Sequence, residues 1–366
     1  MRNILVLALV SGLAAGASIA SAQAPVETLA RRGWDALDNG RPADAAAAFE
    51  LALKGAPGEP TLLLGAATAA LLAGREGAAR PLLQDALRAD PALAPASVLL
   101  GELLYRTGDL QAAIATYQNA LTHAPEHPQI TRRLERWQKE LELHGRFTQE
   151  VGVHFTVLFE GPAEAELAAR AVDILEAAYW RLGAALFAYP PDIITVVLYT
   201  REQFRDITQS PSWAGGAFDG RIRVPVRGAL QDVREFERVL RHEFTHALVR
   251  SIAPRHVPYW LNEGLAVYFE GGDVAGAHAA VAGAEGKLLP LSRLEAPFAD
   301  LDAARAGLAY SQSAVAVERL MDRAGAPSVV DLLTDVGAGV PLDKALERHM
   351  FISYDELQES LRDATP

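Results

Sequence analysis

A period of 34 residues runs through the first third of the chain without slippage, and few folds accommodate such regularity. Small residues recur at Gly40, Gly74 and Gly108, and alanine at Ala45, Ala79 and Ala113. A large apolar residue follows at Phe49, Leu83 and Tyr117, alanine again at Ala52, Ala86 and Ala120, and proline at Pro57, Pro91 and Pro125. Glycine permits a tight turn between two helices, alanine lets helices approach closely, and proline, with no N–H to donate, stops the second helix. Each unit is therefore expected to be helix-turn-helix. A further helix over 129–143, rich in Arg, Lys and Glu, reads as a polar cap that closes the stack.

Five aligned positions in one register resemble tetratricopeptide repeats, three units and a capping helix spanning residues 26–143. The resemblance implies an all-α solenoid whose concave face receives a peptide or protein partner. An array that only stiffens and spaces the rest of the chain would carry the same pattern.

Residues 1–22 read as a signal peptide: Arg2 gives the positive start, residues 4–20 are apolar and small, and Ala20-Ser21-Ala22 is a small-residue cleavage site. The apolar run is shorter than a typical span and is broken by Gly and Ser. Export across the inner membrane to the periplasm is expected, with no stable membrane span after cleavage. The chain has no cysteine. This excludes a disulfide scaffold and a cysteine-containing zinc site, so any metal site must use His, Asp and Glu. A net charge of −12 argues against a nucleic-acid partner.

After residue 146 the 34-residue period is lost, and a second domain over 146–366 is expected. Phe155, Val157 and Phe159 alternate, as in a half-buried strand. Leu167, Ala171, Leu175, Ala178 and Leu182 stand at helical spacing within 163–188, and Pro190-Pro191 ends that helix. Residues 193–199 form a nearly continuous β-branched run, the mark of a buried strand. Residues 221–226 read as a short strand whose Pro225 places it at a sheet edge, with Arg221 and Arg223 as charges guarding that edge. A helix over 232–253 follows, then a turn at Pro254, a second helix from about Pro258, and mostly helix to about 361. The fold class expected is α+β: a repeat solenoid, then a small sheet with an edge strand, two helices bearing the site and a helical C-terminal part.

The chemistry lies in RHEFTHALV at 241–249. His242 and His246 are four apart, so they share one helix face and can hold one zinc ion. Glu243 stands beside the first of them as general base, taking a proton from the water that attacks a scissile carbonyl. A catalytic zinc needs three protein ligands and an open position. A third histidine six residues after His246 is absent, since Ile252 stands there. Glu263, seventeen residues after His246 in PYWLNEGLAVYFE (258–270), can be brought back by the turn and the second helix.

His-Glu-x-x-His followed by Trp-x-x-Glu-Gly-x-Ala is similar to the gluzincin metallopeptidases, most like the small peptidase-MA-like domains of bacteria, over roughly residues 150–350. The resemblance implies one zinc per chain held by His242, His246 and Glu263, and a substrate cleft lined by the strand at 221–226. It also implies an oxyanion donor from the region after the third ligand, for which Tyr310 is the candidate beside a plain packing role. The interhelical insertions and the amino-terminal recognition motif of the larger relatives are missing, which favours endopeptidase over aminopeptidase. No acid stands four residues after Glu263, where Val267 lies, so no carboxylate partner for the histidines is legible at that offset. His154, His256 and His278 read as structural or exposed, Trp260 as core, and Asn262 as a residue that could reach substrate backbone. The function expected is exported zinc-dependent hydrolysis of peptide bonds, the repeats recruiting a protein or peptide. The alternatives are a silent zincin fold on a repeat-based binding scaffold, and a zinc amidase acting on cell-wall material.

Overall fold

The computed structural model describes residues 25–209, 215–226, 232–271, 274–284 and 286–362. The signal-like segment 1–22 lies outside the described residues. The fold is α+β.

Three helix pairs make the repeat domain: α1 (Val26–Asp38) with α2 (Pro42–Gly55), α3 (Pro60–Leu72) with α4 (Glu76–Ala89), and α5 (Ala94–Arg106) with α6 (Leu110–His123). The repeated glycines sit in the turns within each pair at φ of 65°, 66° and 91°, a region that only glycine enters cheaply. Every repeated alanine is buried, and so are Phe49, Leu83 and Tyr117, which fill the space between helices.

Helix α7 (Pro128–His144) closes the stack, but its second face is not a polar cap in water. Trp137 packs between Tyr105 and Tyr117, with ring centroids 4.9 and 4.5 Å away. Glu140 is 1% exposed, and Leu143 packs against Val197, Tyr199 and Phe204 of the second domain. The charged residues of α7 thus serve two masters, solvent on one side and a junction on the other.

The second domain opens with β1 (Thr148–Val151), β2 (Phe155–Phe159), α8 (Ala165–Leu186), β3 (Ile194–Tyr199), α9 (Arg201–Thr208), β4 (Ala217–Phe218) and β5 (Ile222–Pro225). The sheet order is β1-β2-β3-β5-β4, with β2, β3 and β5 parallel and the two outer strands antiparallel to their neighbours. Helix α8 covers one face of the sheet, while α7 and α9 supply the small cluster on the other. Coverage on both faces is why β3 reads as an unbroken apolar run.

Two expectations are corrected here. The strand at 221–226 is not the edge, because the two-residue β4 pairs outside it, Ala217 opposite Arg223 and Phe218 opposite Ile222. Pro225 is tolerated because it lies beyond that pairing, at the strand's last position. Arg221 and Arg223 are not solvent-facing edge charges either: they are 7% and 0% exposed. A buried guanidinium needs partners, and Glu140 accepts from Arg221 Nη1 at 2.9 Å and stands 2.9 Å from Arg223 Nη1. Arg223 also donates to the hydroxyls of Tyr199 and Tyr105, both at 2.8 Å, and to Asp219 at 3.1 Å.

The chain continues through α10 (Val233–Ile252), α11 (Tyr259–Phe269), α12 (Val274–Gly283), α13 (Ala303–Gly337), α14 (Leu342–Met350) and α15 (Tyr354–Ser360). Helix α13 breaks at Gly325, where φ is 75°, two residues before Pro327. Helices α8, α10, α11 and α13 share one core with the sheet. No helix among the described residues is long and apolar enough to cross a membrane.

Candidate metal centre

Helix α10 starts at Asp232, whose carboxylate accepts from the Glu235 N–H at 3.0 Å. Phe236, Leu240, Phe244 and Leu248 anchor its apolar face in the core. That leaves His242 and His246 one turn apart on an adjoining face, their ring centroids 4.9 Å apart and their planes at 84°. Helix α11 brings Glu263 to them because it lies almost against α13. A Cβ on Gly264 would stand 2.3 Å from the Ser313 carbonyl oxygen, so only glycine allows that approach.

Glu263 Oε2 lies 3.5 Å from His242 Nε2 and 3.6 Å from His246 Nε2. The three donor atoms fall within 4.8 Å of one another. Ligands about 2.0–2.2 Å from a tetrahedral zinc stand roughly 3.4 Å apart, so the spacing fits the ion. The donor chemistry fits as well. Glu270 Oε2 accepts from His242 Nδ1 at 2.8 Å, which leaves the Nε2 lone pair facing the centre. Arg238 Nη1 in turn donates to Glu270 Oε1 at 2.8 Å.

Electrostatics point the same way. Burial would lower His242, but hydrogen bonds to Glu263 and Glu270 and the charges of Glu243 and Glu263 outweigh it and raise the imidazole to about 10. Three carboxylates therefore converge on His242. Burial pushes the Glu243 carboxyl up to about 8, with His242 opposing and Glu263 and Glu270 assisting. Burial also raises Glu263, but His246, His242 and Tyr259 together hold it below the usual carboxylate range.

Sequence reasoning missed three residues here. Glu270 is seven residues after Glu263, two turns along the same face and beyond the offset of four at which Val267 stands. Tyr259, one turn before Glu263, donates its hydroxyl to that carboxylate and accepts from Tyr310; burial raises both phenols above their usual range. Gly216 is the third: a Cβ there would lie 2.5 Å from Glu243 Oε1, so bare backbone lies on the carboxylate. The strand that lines the cleft is consequently the segment 216–218 containing β4, not 221–226.

The cleft has two lobes, of about 460 and 400 Å³, that meet at Gly216, His242, Glu243 and Tyr310. Phe218, Arg250, Asn262 and Tyr259 line the first, and Arg238, Val267, Gly276 and Ser311 the second. Tyr310 lies in the second turn of α13, packs edge-on against Phe298 at 5.2 Å and also faces the cleft. His256 lines the first lobe from the α10–α11 turn. His154 bonds Glu176 at 2.7 Å, and His278 bonds Glu318, both away from the centre. Trp260 is buried and donates to the Tyr354 hydroxyl at 3.0 Å.

Two models described as tetratricopeptide repeat match residues 31–94 and 70–134. Among solved structures, the chain is similar to "First TPR of Spaghetti (RPAP3) bound to HSP90 peptide SRMEEVD", at 18% identity and a TM-score of 0.31, over 33% of this chain and 98% of that one. No curated protein matches. The model described as Peptidase MA superfamily matches residues 177–363, just over half of the chain and inclusive of every residue of the centre. The chain belongs to the Peptidase MA superfamily and carries tetratricopeptide repeats in front of that domain.

Proposed function

We propose that the chain is an exported zinc-dependent peptidase, with His242 Nε2, His246 Nε2 and Glu263 Oε2 as the three protein ligands. The observation that carries this reading is the convergence of those atoms beside a buried Glu243 at the meeting point of two cleft lobes. Zinc, when bound, supplies a Lewis acid that polarises a scissile carbonyl and makes water acidic enough to deprotonate near neutral pH.

The chain's own residues do the rest. Glu243 accepts the proton of the attacking water and passes it to the leaving amine. Glu270 orients His242, and Tyr259 orients Glu263. Tyr310 lines the cleft, and its hydroxyl, turned from Tyr259 toward the substrate, stabilises the developing oxyanion. The backbone of 216–218 offers an extended peptide the groups of a short edge strand. Because the cleft continues on both sides of Glu243, the reaction is cleavage within a chain, an endopeptidase, rather than trimming of one end. The groove of about 480 Å³ between Trp34, Leu64, Val98 and His127 is where the repeats receive a protein or peptide partner. The signal-like start directs the protein to the periplasm.

The test is metal content and turnover. Purified protein offered zinc should hold one ion per chain and His246→Ala none, while Glu243→Gln should keep the ion and lose hydrolysis of unfolded protein. A zinc-free wild type, or full turnover in Glu243→Gln, overturns the reading.

A further inference from the structure

We propose that the first cleft lobe contains a carboxylate subsite built by Arg250 and Arg255, which receives an acidic side chain or the free C-terminal carboxylate of a bound peptide. The inference rests on the peptidase reading for its placement, though the cationic hollow stands on its own observations.

Arg250 follows His246 by four residues, so it lies on the same face of α10 about 6 Å further along. An extended peptide advances about 3.4 Å per residue, which puts this guanidinium roughly two residues away from the reacting carbonyl. Its guanidinium carbon stands 5.8 Å from the centre of the Phe218 ring. Arg255 comes from the α10–α11 turn and packs its guanidinium against the repeat turn at Gly74. Its Nη1 lies 3.5 Å from His256 Nε2.

The local charge does not balance. Among the described residues no carboxylate stands within ion-pair distance of Arg255, and its buried Nε has no hydrogen-bond partner. The acid nearest Arg250 is Glu76, which pairs with Arg106 at 2.8 Å and stands 3.8 Å from Arg250. Asp219, whose charge also reaches Arg250, is held by Arg223 at 3.1 Å. Arg106 and Arg250 therefore share Glu76, already paired with the first of them, while Arg255 and His256 have, among the described residues, no carboxylate beside them at the side of an open cleft. Burial and then Arg106 lower Arg250, burial lowers Arg255, and burial and then Arg255 lower His256. In a chain of net charge −12, such a hollow runs against the general field. Partly desolvated guanidinium forks are suited to planar carboxylates, which they bind through charge-assisted hydrogen bonds.

The test uses fluorescein-labelled octapeptides of Ala and Gly in which Glu, Gln or Lys is placed at each position in turn, all amidated at the C-terminus. The Gln series is also made with a free C-terminus. Binding is read by anisotropy on the full zinc-loaded chain carrying Glu243→Gln, and cleavage on the chain with Glu243 intact. At one position Glu should bind at least tenfold tighter than Gln, and Lys more weakly than either. A gain from the free terminus instead identifies that carboxylate as the source. Arg250→Gln and Arg255→Gln should each reduce the ratio below about threefold, while Arg348→Gln, at an exposed side chain of α14, should leave it intact. Should Arg250→Gln fail to fold, Arg255→Gln in its turn carries the test. Equal binding of the series, no measurable binding, or discrimination surviving both substitutions overturns the subsite. Cleavage without discrimination removes the subsite and leaves the peptidase reading standing. Discrimination in binding with no cleavage of any peptide does the reverse.

Discussion

Glu140→Gln is the perturbation that most directly tests how the two domains are joined. Glu140 is 1% exposed, and around its carboxylate stand Arg221 Nη1 at 2.9 Å, Arg223 Nη1 at 2.9 Å and the Tyr105 hydroxyl at 2.7 Å. Two guanidiniums buried beside one carboxylate are held there by its charge. Removing the charge leaves them facing one another, with only the half-exposed Asp219 to compensate Arg223. Breaking a buried pair typically costs about 3–5 kcal/mol. Glutamine retains an acceptor oxygen for one donor, so the low end, about 3 kcal/mol, is expected. Urea unfolding at pH 7, followed by circular dichroism and by fluorescence, where Trp137 reports on this junction, measures it. The arginines and Tyr105 hold Glu140 below the usual carboxylate range against the opposing effect of burial. A depressed carboxylate stabilises fully above its unfolded value of 4.5 and loses that contribution as pH falls through the folded value. The gap between wild type and variant should therefore close progressively in acid. Replacing Glu140, Arg221 and Arg223 together by apolar residues should cost less than Glu140→Gln alone, because no charge is then stranded. A loss below about 1 kcal/mol at pH 7, or one that does not shrink in acid, refutes the argument.

Three further outcomes are expected. Burial holds His144 near 4 instead of 6.5, so between pH 6.5 and about 4 the unfolded chain takes up a proton that the folded one refuses. Stability is then lost as pH falls, by roughly 3 kcal/mol over the window, and His144→Gln should remove that share of the pH dependence in paired unfolding curves. Gly264→Ala should force α11 away from the Ser313 carbonyl, lowering stability by about 1–3 kcal/mol in thermal melts and loosening zinc through the displacement of Glu263. Glu270→Gln should weaken zinc about 10–100-fold in a chelator competition and also lower the melt of the metal-free protein, because His242 and Arg238 lose a buried carboxylate partner.

The repeat positions and the pair on α10 were legible because both rest on local rules. A turn glycine and a histidine pair at i and i+4 mean the same thing wherever the chain goes. Glu263 was reached through a resemblance, since seventeen residues of spacing do not by themselves fix a helix on its neighbour. Arg221 and Arg223 were misread for a physical reason. Alternate arginines in a strand look identical whether they face water or an acid 81 residues upstream. Strand β4 has two residues and carries no period at all. Glu270 was missed because the carboxylate partner of a metal histidine is defined by where a side chain reaches, and a place two turns down the helix reaches as well as one.

The short chain segment between junction and centre gives the repeats a structural role at the cleft. Arg221 donates to the Gly108 carbonyl in the third repeat turn at 2.9 Å, and Arg223 to Tyr105 on α5 at 2.8 Å. Five residues before Arg221, Gly216 lies on Glu243. The hairpin that lines the cleft is thus held at one end by the repeat domain and presented at the other to Glu243. A fragment of residues 146–366 would expose Val197, Tyr199 and Phe204 and strand both arginines without Glu140. Exposed apolar surface and uncompensated charge both disfavour that state. The fragment should therefore aggregate or melt well below the full chain, and added residues 25–145 should restore it in trans if the junction alone is responsible. A fragment that is monomeric, as stable as the full chain and unchanged in zinc affinity would mean that the hairpin holds its place without the repeats, and the coupling argued from Glu140 would fall with it.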